Sequence, residues 1–240
     1  MVFGLNPHLR APSAGGCPHG ACDGSGFVLD EATNEARPCA CRPARIAAAK
    51  SRSLARTIPE RYQHVAFDRH PVTAMEPMIV REVRRWCDAV DARLDEGRGL
   101  LFFGTTGTGK TTLAMLAAQH AIRRNRTVAI YDAPQLLARI HATYRGDESR
   151  VDLMERFEAV DLLVLDDIAV ASQNEWVLEQ LYSVINRRYA AKRAIVVTAD
   201  VESPDKLADH IGRRAASRLH ETCLEVPMFG PDQRILHAAS

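Results

Sequence analysis

Gly104-Thr105-Thr106-Gly107-Thr108-Gly109-Lys110-Thr111 has the residue types and spacing needed to cradle a chain of phosphates. Glycines let successive backbone N–H groups turn inward around phosphate oxygens. A helix opening at Thr111 and Thr112 adds the partial positive charge of its N-terminus at the same place. Lys110 is predicted to reach the β- and γ-phosphates, and the Thr111 hydroxyl to bind Mg²⁺. A second pattern, Leu162-Leu-Val-Leu-Asp166-Asp167, ends an apolar run in two carboxylates. Asp166 is expected in the Mg²⁺ shell. Asp167 either orients the attacking water or caps the turn that follows.

Four thiols form another candidate centre. Cys17-x4-Cys22 and Cys39-x-Cys41 are two close pairs with sixteen residues between them, an arrangement suited to a tetrahedral Zn²⁺. His19 could replace one thiol, and an iron–sulfur cluster or a tail with spare cysteines are the competing readings. Small residues surround the pairs, so a metal could supply folding energy that the local core does not. Cys87 and Cys223 lie in apolar patterns and read as packing residues.

These groups need elements to hold them. Leu100 to Phe103 reads as a buried strand leading into the glycine loop, and Thr111 to Arg124 as the helix leaving it. Further strands are predicted at Thr127–Tyr131, Leu162–Leu165 and Ala194–Thr198. Helices are predicted at Ile46–Arg56, Met75–Asp95, Pro134–Tyr144, Val151–Ala159 and Asn174–Tyr189. Strands alternating with helices imply an α/β fold with a mostly parallel sheet flanked on both faces, and such sheets bind ligands at the C-terminal ends of their strands. Composition suggests three regions: a Cys-rich element at 1–45, a basic linker helix and entry segment at 46–70, and a nucleotide-binding domain at 71–240.

The chain has 240 residues, 46% of them hydrophobic, and a formal net charge of +1. That excludes wholesale disorder and coating of nucleic acid by bulk charge. No apolar run approaches the ~20 residues that cross a bilayer. The first ten residues lack a secretory pattern, so a cytoplasmic location is expected.

The sequence resembles the AAA+ ATPases of the bacterial helicase-loader family (DnaC/DnaI type), which includes the related IstB-type transposition ATPases. The residues that carry the resemblance are Ile58-Pro-Glu-Arg-Tyr62, Gly104 to Thr111, Leu162 to Asp167, Val196-Val-Thr198-Ala-Asp200 and Gly212-Arg-Arg-Ala-Ala-Ser-Arg218-Leu219. It implies an AAA+ fold with a short helical lid. It also implies hydrolysis of ATP, slow because Asp167 is shorter than the Glu usual at its place. Thr198 then becomes the sensor of the γ-phosphate or the water. Asp200 stands where the family usually has Asn, and an ionised carboxylate cannot donate a hydrogen bond. Arg218, helped by Arg214 on the same helix face, would reach the nucleotide of a neighbouring subunit, and Arg234 would sense it in cis.

By the same resemblance the partners are a replicative hexameric DNA helicase, gripped by the zinc element, single-stranded DNA, and further copies of the chain assembled through ATP. The basic stretch Arg42–Arg69, with Tyr62 and Phe67, is either a single-strand groove or a solvated linker. Arg145 and Arg150 are the other candidate DNA contacts. The rival functions are an IstB-type regulator of transposition acting on duplex DNA, and a nucleotide-binding scaffold with little turnover.

Overall fold

The computed structural model describes residues 17, 19–30, 35–43, 45, 58–146, 149–170 and 174–233. The helix expected at Ile46–Arg56, most of the linker before residue 58, and Arg234 lie outside them. The chain divides into two compact units, Met1–Arg52 and Ser53–Ser240.

In the first unit, β1 (Phe27–Asp30) and β2 (Glu35–Pro38) form an antiparallel hairpin that pairs Phe27 with Pro38 and Asp30 with Glu35. Sequence reading did not anticipate it, because neither four-residue strand carries an alternating apolar pattern. The hairpin is exposed on both faces.

The second unit is built on β3 (Gly99–Gly104), β4 (Val128–Asp132), β5 (Leu162–Asp166), β6 (Ala194–Ala199) and β7 (Cys223–Met228). They form one five-stranded sheet in the order β4-β5-β6-β3-β7, and every neighbouring pair is parallel. Parallel neighbours need crossovers, and helices supply them on both faces. Side chains alternate along each strand. Leu101, Phe103, Leu163, Leu165, Ile195 and Val197 therefore enter one cluster, with α4 (Ala133–Ala142), α5 (Arg150–Ala159), α6 (Glu175–Ala190), α7 (Pro204–Ile211) and α8 (Arg213–Thr222). Leu100, Phe102, Leu162, Val164, Ala194 and Val196 enter the other, with α1 (Pro77–Asp88), α2 (Val90–Asp95) and α3 (Lys110–Arg123). With both faces covered, the strands read as unbroken apolar runs.

The predicted helix Met75–Asp95 is two helices. The backbone leaves helical geometry at Ala89 (φ −99°, ψ 20°), and the break turns Val90 and Leu94 into the core. The stretch Pro134–Tyr144 is α4 followed by one 3-10 turn, Thr143–Arg145, that ends at Gly146 with φ 85°. Helix α7, capped by the Ser203 side chain, was not predicted. Helices α7 and α8 bury Leu207, Ile211, Ala215 and Leu219 in the core and lead into β7. Among the described residues no helix is long and apolar enough to cross a membrane.

Candidate nucleotide site and cysteine centre

The loop between β3 and α3 lies at the C-terminal edge of the sheet, where the strand order brings β3 beside β6. Gly107 and Gly109 have φ of 78° and 98°, a region that only glycine enters without strain. Each also lacks room for a side chain: a Cβ on Gly107 would collide with the Asp232 carboxylate, and one on Gly109 with the Met75 methyl. Gly107→Ala is therefore expected to weaken nucleotide binding at least ~10-fold while the domain stays folded, which calorimetric titration would read.

Lys110 is 6% exposed. Its ammonium donates to the carbonyls of Gly104 (3.0 Å) and Thr105 (2.6 Å) and pairs with Asp200 (2.5 Å). Thr106 donates to the other oxygen of Asp200. Asp200, which as an anion cannot donate, thus serves as an acceptor facing the loop. Thr111 donates to Asp166 at 2.9 Å, which brings together the two residues expected to hold Mg²⁺. This donor set, one hydroxyl and one carboxylate beside a helix N-terminus, fits a hard cation that keeps several waters.

Thr198 is buried in β6, and both hydrogen-bonding roles of its hydroxyl are used. It donates to Asp166 at 2.7 Å and accepts from the Asp167 N–H at 2.8 Å. The Thr198 hydroxyl therefore braces the Asp166 carboxylate against the backbone of Asp167. Asp167 adopts φ 54°, which turns the chain sharply after the strand. Burial raises the pKa of its carboxyl above the ordinary value, and the nearby Asp200 and Asp166 charges add to the shift.

Thr106 to Thr112 line a cavity of about 480 Å³ together with Asp167, Thr198 and Asp200. Its remaining wall includes Tyr62, His70, Met75, Ile79, Met228 and Phe229. Apart from Tyr62, sequence reading missed this wall, because its residues come from three separated segments and share no spacing. Tyr62 and Phe67 pack against the core of α1 to α3, and Tyr62 accepts a hydrogen bond from Gln119 at its carbonyl. Both rings are partly buried.

Arg214 and Arg218 lie on α8 and do not line the cavity of their own chain. Arg214 is exposed. The Arg218 guanidinium sits 5.0 and 5.2 Å from the ring centres of Tyr182 and Tyr189, and donates to the Arg214 carbonyl and the Tyr182 hydroxyl. Arg150 lies over the exposed Tyr144 ring (5.6 Å), which also neighbours His141 and Trp176. Arg145 ends the turn beside it and is exposed.

In the first unit the four sulfurs of Cys17, Cys22, Cys39 and Cys41 lie within 4.8 Å of one another, and His19 is not among them. The pairs Cys17–Cys39 and Cys22–Cys41 are each 3.6 Å apart. Four ligands at ~2.3 Å around one tetrahedral zinc would stand ~3.8 Å apart, so the sulfurs fit that ion. Two tight turns create the arrangement: Gly20 N–H donates to the Cys17 carbonyl, and Arg42 N–H to that of Cys39. Burial opposes the Cys17 thiolate, but the backbone N–H groups of His19, Ala21 and Cys22 outweigh it and bring the thiol down to about 6. Burial, with the neighbouring thiols, pushes Cys41 up to about 12. Cys87 and Cys223 are pushed up to about 12 by burial, as inert packing residues are.

The family model for an IstB-like ATP binding protein matches residues 56–206. The replicative helicase loader DnaC of Escherichia coli (strain K12) is 24% identical over 162 residues, which span 66% of this chain and 64% of that protein. Among solved structures, the DnaC helicase loader superposes with a TM-score of 0.61 at 22% identity, covering 71% of this chain and 99% of that one. The structure of DnaI gives 0.56 at 17% identity, over 74% and 93%. Because the family match runs through the glycine loop, the paired carboxylates and the brace of β6, the chain belongs to the IstB-like ATP-binding proteins, a branch of the AAA+ family.

Proposed function

We propose that the protein is an ATP-dependent loader of a replicative DNA helicase. The observation that carries this reading is the similarity to DnaC across the nucleotide-binding domain. In this reading the Cys-rich element at 1–45 holds zinc and docks on the helicase, 46–70 links it, and 71–240 is the ATPase. Lys110 neutralises the β- and γ-phosphates. Thr111 and Asp166 would hold Mg²⁺, which when bound would offset charge on the phosphate oxygens. Asp167 orients the attacking water, and Thr198 fixes the Asp166 carboxylate and the Asp167 backbone so that this geometry is set in advance. Copies assemble through ATP, and Arg218 with Arg214 offsets charge at the neighbour's nucleotide. Leaving the tyrosine rings is the step that would couple turnover to assembly. Single-stranded DNA is engaged through Tyr144, Trp176 and Arg150, where rings and a guanidinium offer stacking faces.

The family match favours a second reading, an IstB-like regulator of transposition acting on duplex DNA. The two are separated by capturing partners of the tagged full chain with ATP and with ADP, alongside the variant with Cys39→Ser and Cys41→Ser. Recovery of a hexameric helicase with the ATP-bound chain, lost in the cysteine variant, is the expected result. Recovery of a transposase or of duplex DNA would overturn the loader reading.

A further inference from the structure

The five residues after β7, Phe229 to Gln233, run back across the phosphate loop. Gly230 makes two hydrogen bonds with the Thr105 side chain: its carbonyl accepts from the hydroxyl at 2.9 Å, and its N–H donates to it at 3.1 Å. The Gln233 N–H donates to the Gly107 carbonyl at 3.1 Å. Between these two anchors the Asp232 carboxylate fills the space that a side chain on Gly107 would need. A negative side chain is therefore strapped onto the backbone that the nucleotide's phosphates must reach. Lys110 is the one cation among the described residues lining the cavity, and it already faces Asp200.

We propose that Asp232 sets the nucleotide affinity of this site, and that docking of the strap and binding of ATP oppose each other. The inference rests on the reading of the cavity as the nucleotide site. Its physical basis is charge. A triphosphate brings several negative charges within a few ångströms of a fixed carboxylate, and Lys110, the cation that the phosphate loop itself supplies, is already paired with Asp200. Coupling of this kind is reciprocal. ATP loosens the strap, and anything that draws the strap away tightens the binding of ATP. Residues 229–233 thereby report whether the loop is filled.

The test uses the full chain and its Asp232→Asn variant, which keeps the shape and removes the charge. Affinity for ATP with Mg²⁺ is read by calorimetry, and protection of the Gly230 and Gln233 amides by hydrogen exchange. The expected result is ~10-fold tighter ATP binding in the variant, the scale of one partly screened charge at this range. In the unmodified chain those amides should exchange faster when ATP saturates the site, and in the variant this acceleration should shrink. Unchanged or weaker binding by Asp232→Asn overturns the proposal, as does a strap whose protection is constant or rises with ATP. Lys110→Ala serves as a control for the site itself. If it binds ATP as the unmodified chain does, the reading of the cavity fails, whatever Asp232 shows. A melting temperature equal to that of the unmodified chain excludes misfolding of the asparagine variant.

Discussion

Lys110→Ala should lower ATPase kcat/KM by ~100-fold or more, about 3 kcal/mol of transition-state stabilisation. The ammonium is buried at the loop, held by two loop carbonyls and Asp200, so it meets a phosphate by exchanging one of these acceptors for a phosphate oxygen. Its removal also takes away the cation that faces Asp200, leaving Asp166, Asp167 and Asp200 around an incoming polyanion. Binding and turnover should therefore fail together, which equilibrium titration and steady-state rates would show. Arginine should not restore either, because a planar fork cannot occupy the slot of a compact ammonium. Undiminished turnover in Lys110→Ala would remove the loop from the chemistry altogether.

The second large effect concerns stability. Arg188 is 1% exposed, and its guanidinium donates to the carbonyls of Phe157, Val160, Asp161 and Ala194. One side chain thus ties the end of α5 to the starts of β5 and β6. Arg188→Ala should destabilise the domain by about 3–5 kcal/mol, because it opens a cavity and strands several buried carbonyls. The melting temperature should fall by roughly 10 °C, measurable by circular dichroism. Lysine should recover little, since one ammonium cannot span those acceptors at once. A shift below ~2 °C would show that water replaces the guanidinium without cost.

What could be read from the residues alone follows from how local the signal is. The phosphate loop, the strand before it and the helix after it are contiguous, and glycine conformation and apolar periodicity report them directly. Asp166 and Thr198 are thirty-two residues apart, and only the parallel register of β5 on β6 joins them. Their hydrogen bond was not legible, although both residues were singled out. The wall of Tyr62, His70 and Met75 belongs to segments that tertiary packing alone unites. The family motif singles out Arg218, but its tyrosine neighbours come from another helix, which no spacing within α8 reveals. The β1–β2 hairpin has the opposite cause. Its residues are exposed on both sides, so burial leaves no pattern in the sequence.

The alternation of the strands also makes β6 a ruler. Ile195 and Val197 face one core, Val196 faces the other, and Thr198 then meets Asp166. One residue inserted between Ala194 and Thr198 would move every later side chain to the opposite face. It would push a hydroxyl into a hydrophobic layer and withdraw the brace from Asp166 and the Asp167 backbone in the same step. The length of this strand therefore cannot drift while its loops can, and packing and chemistry are counted on the same scale.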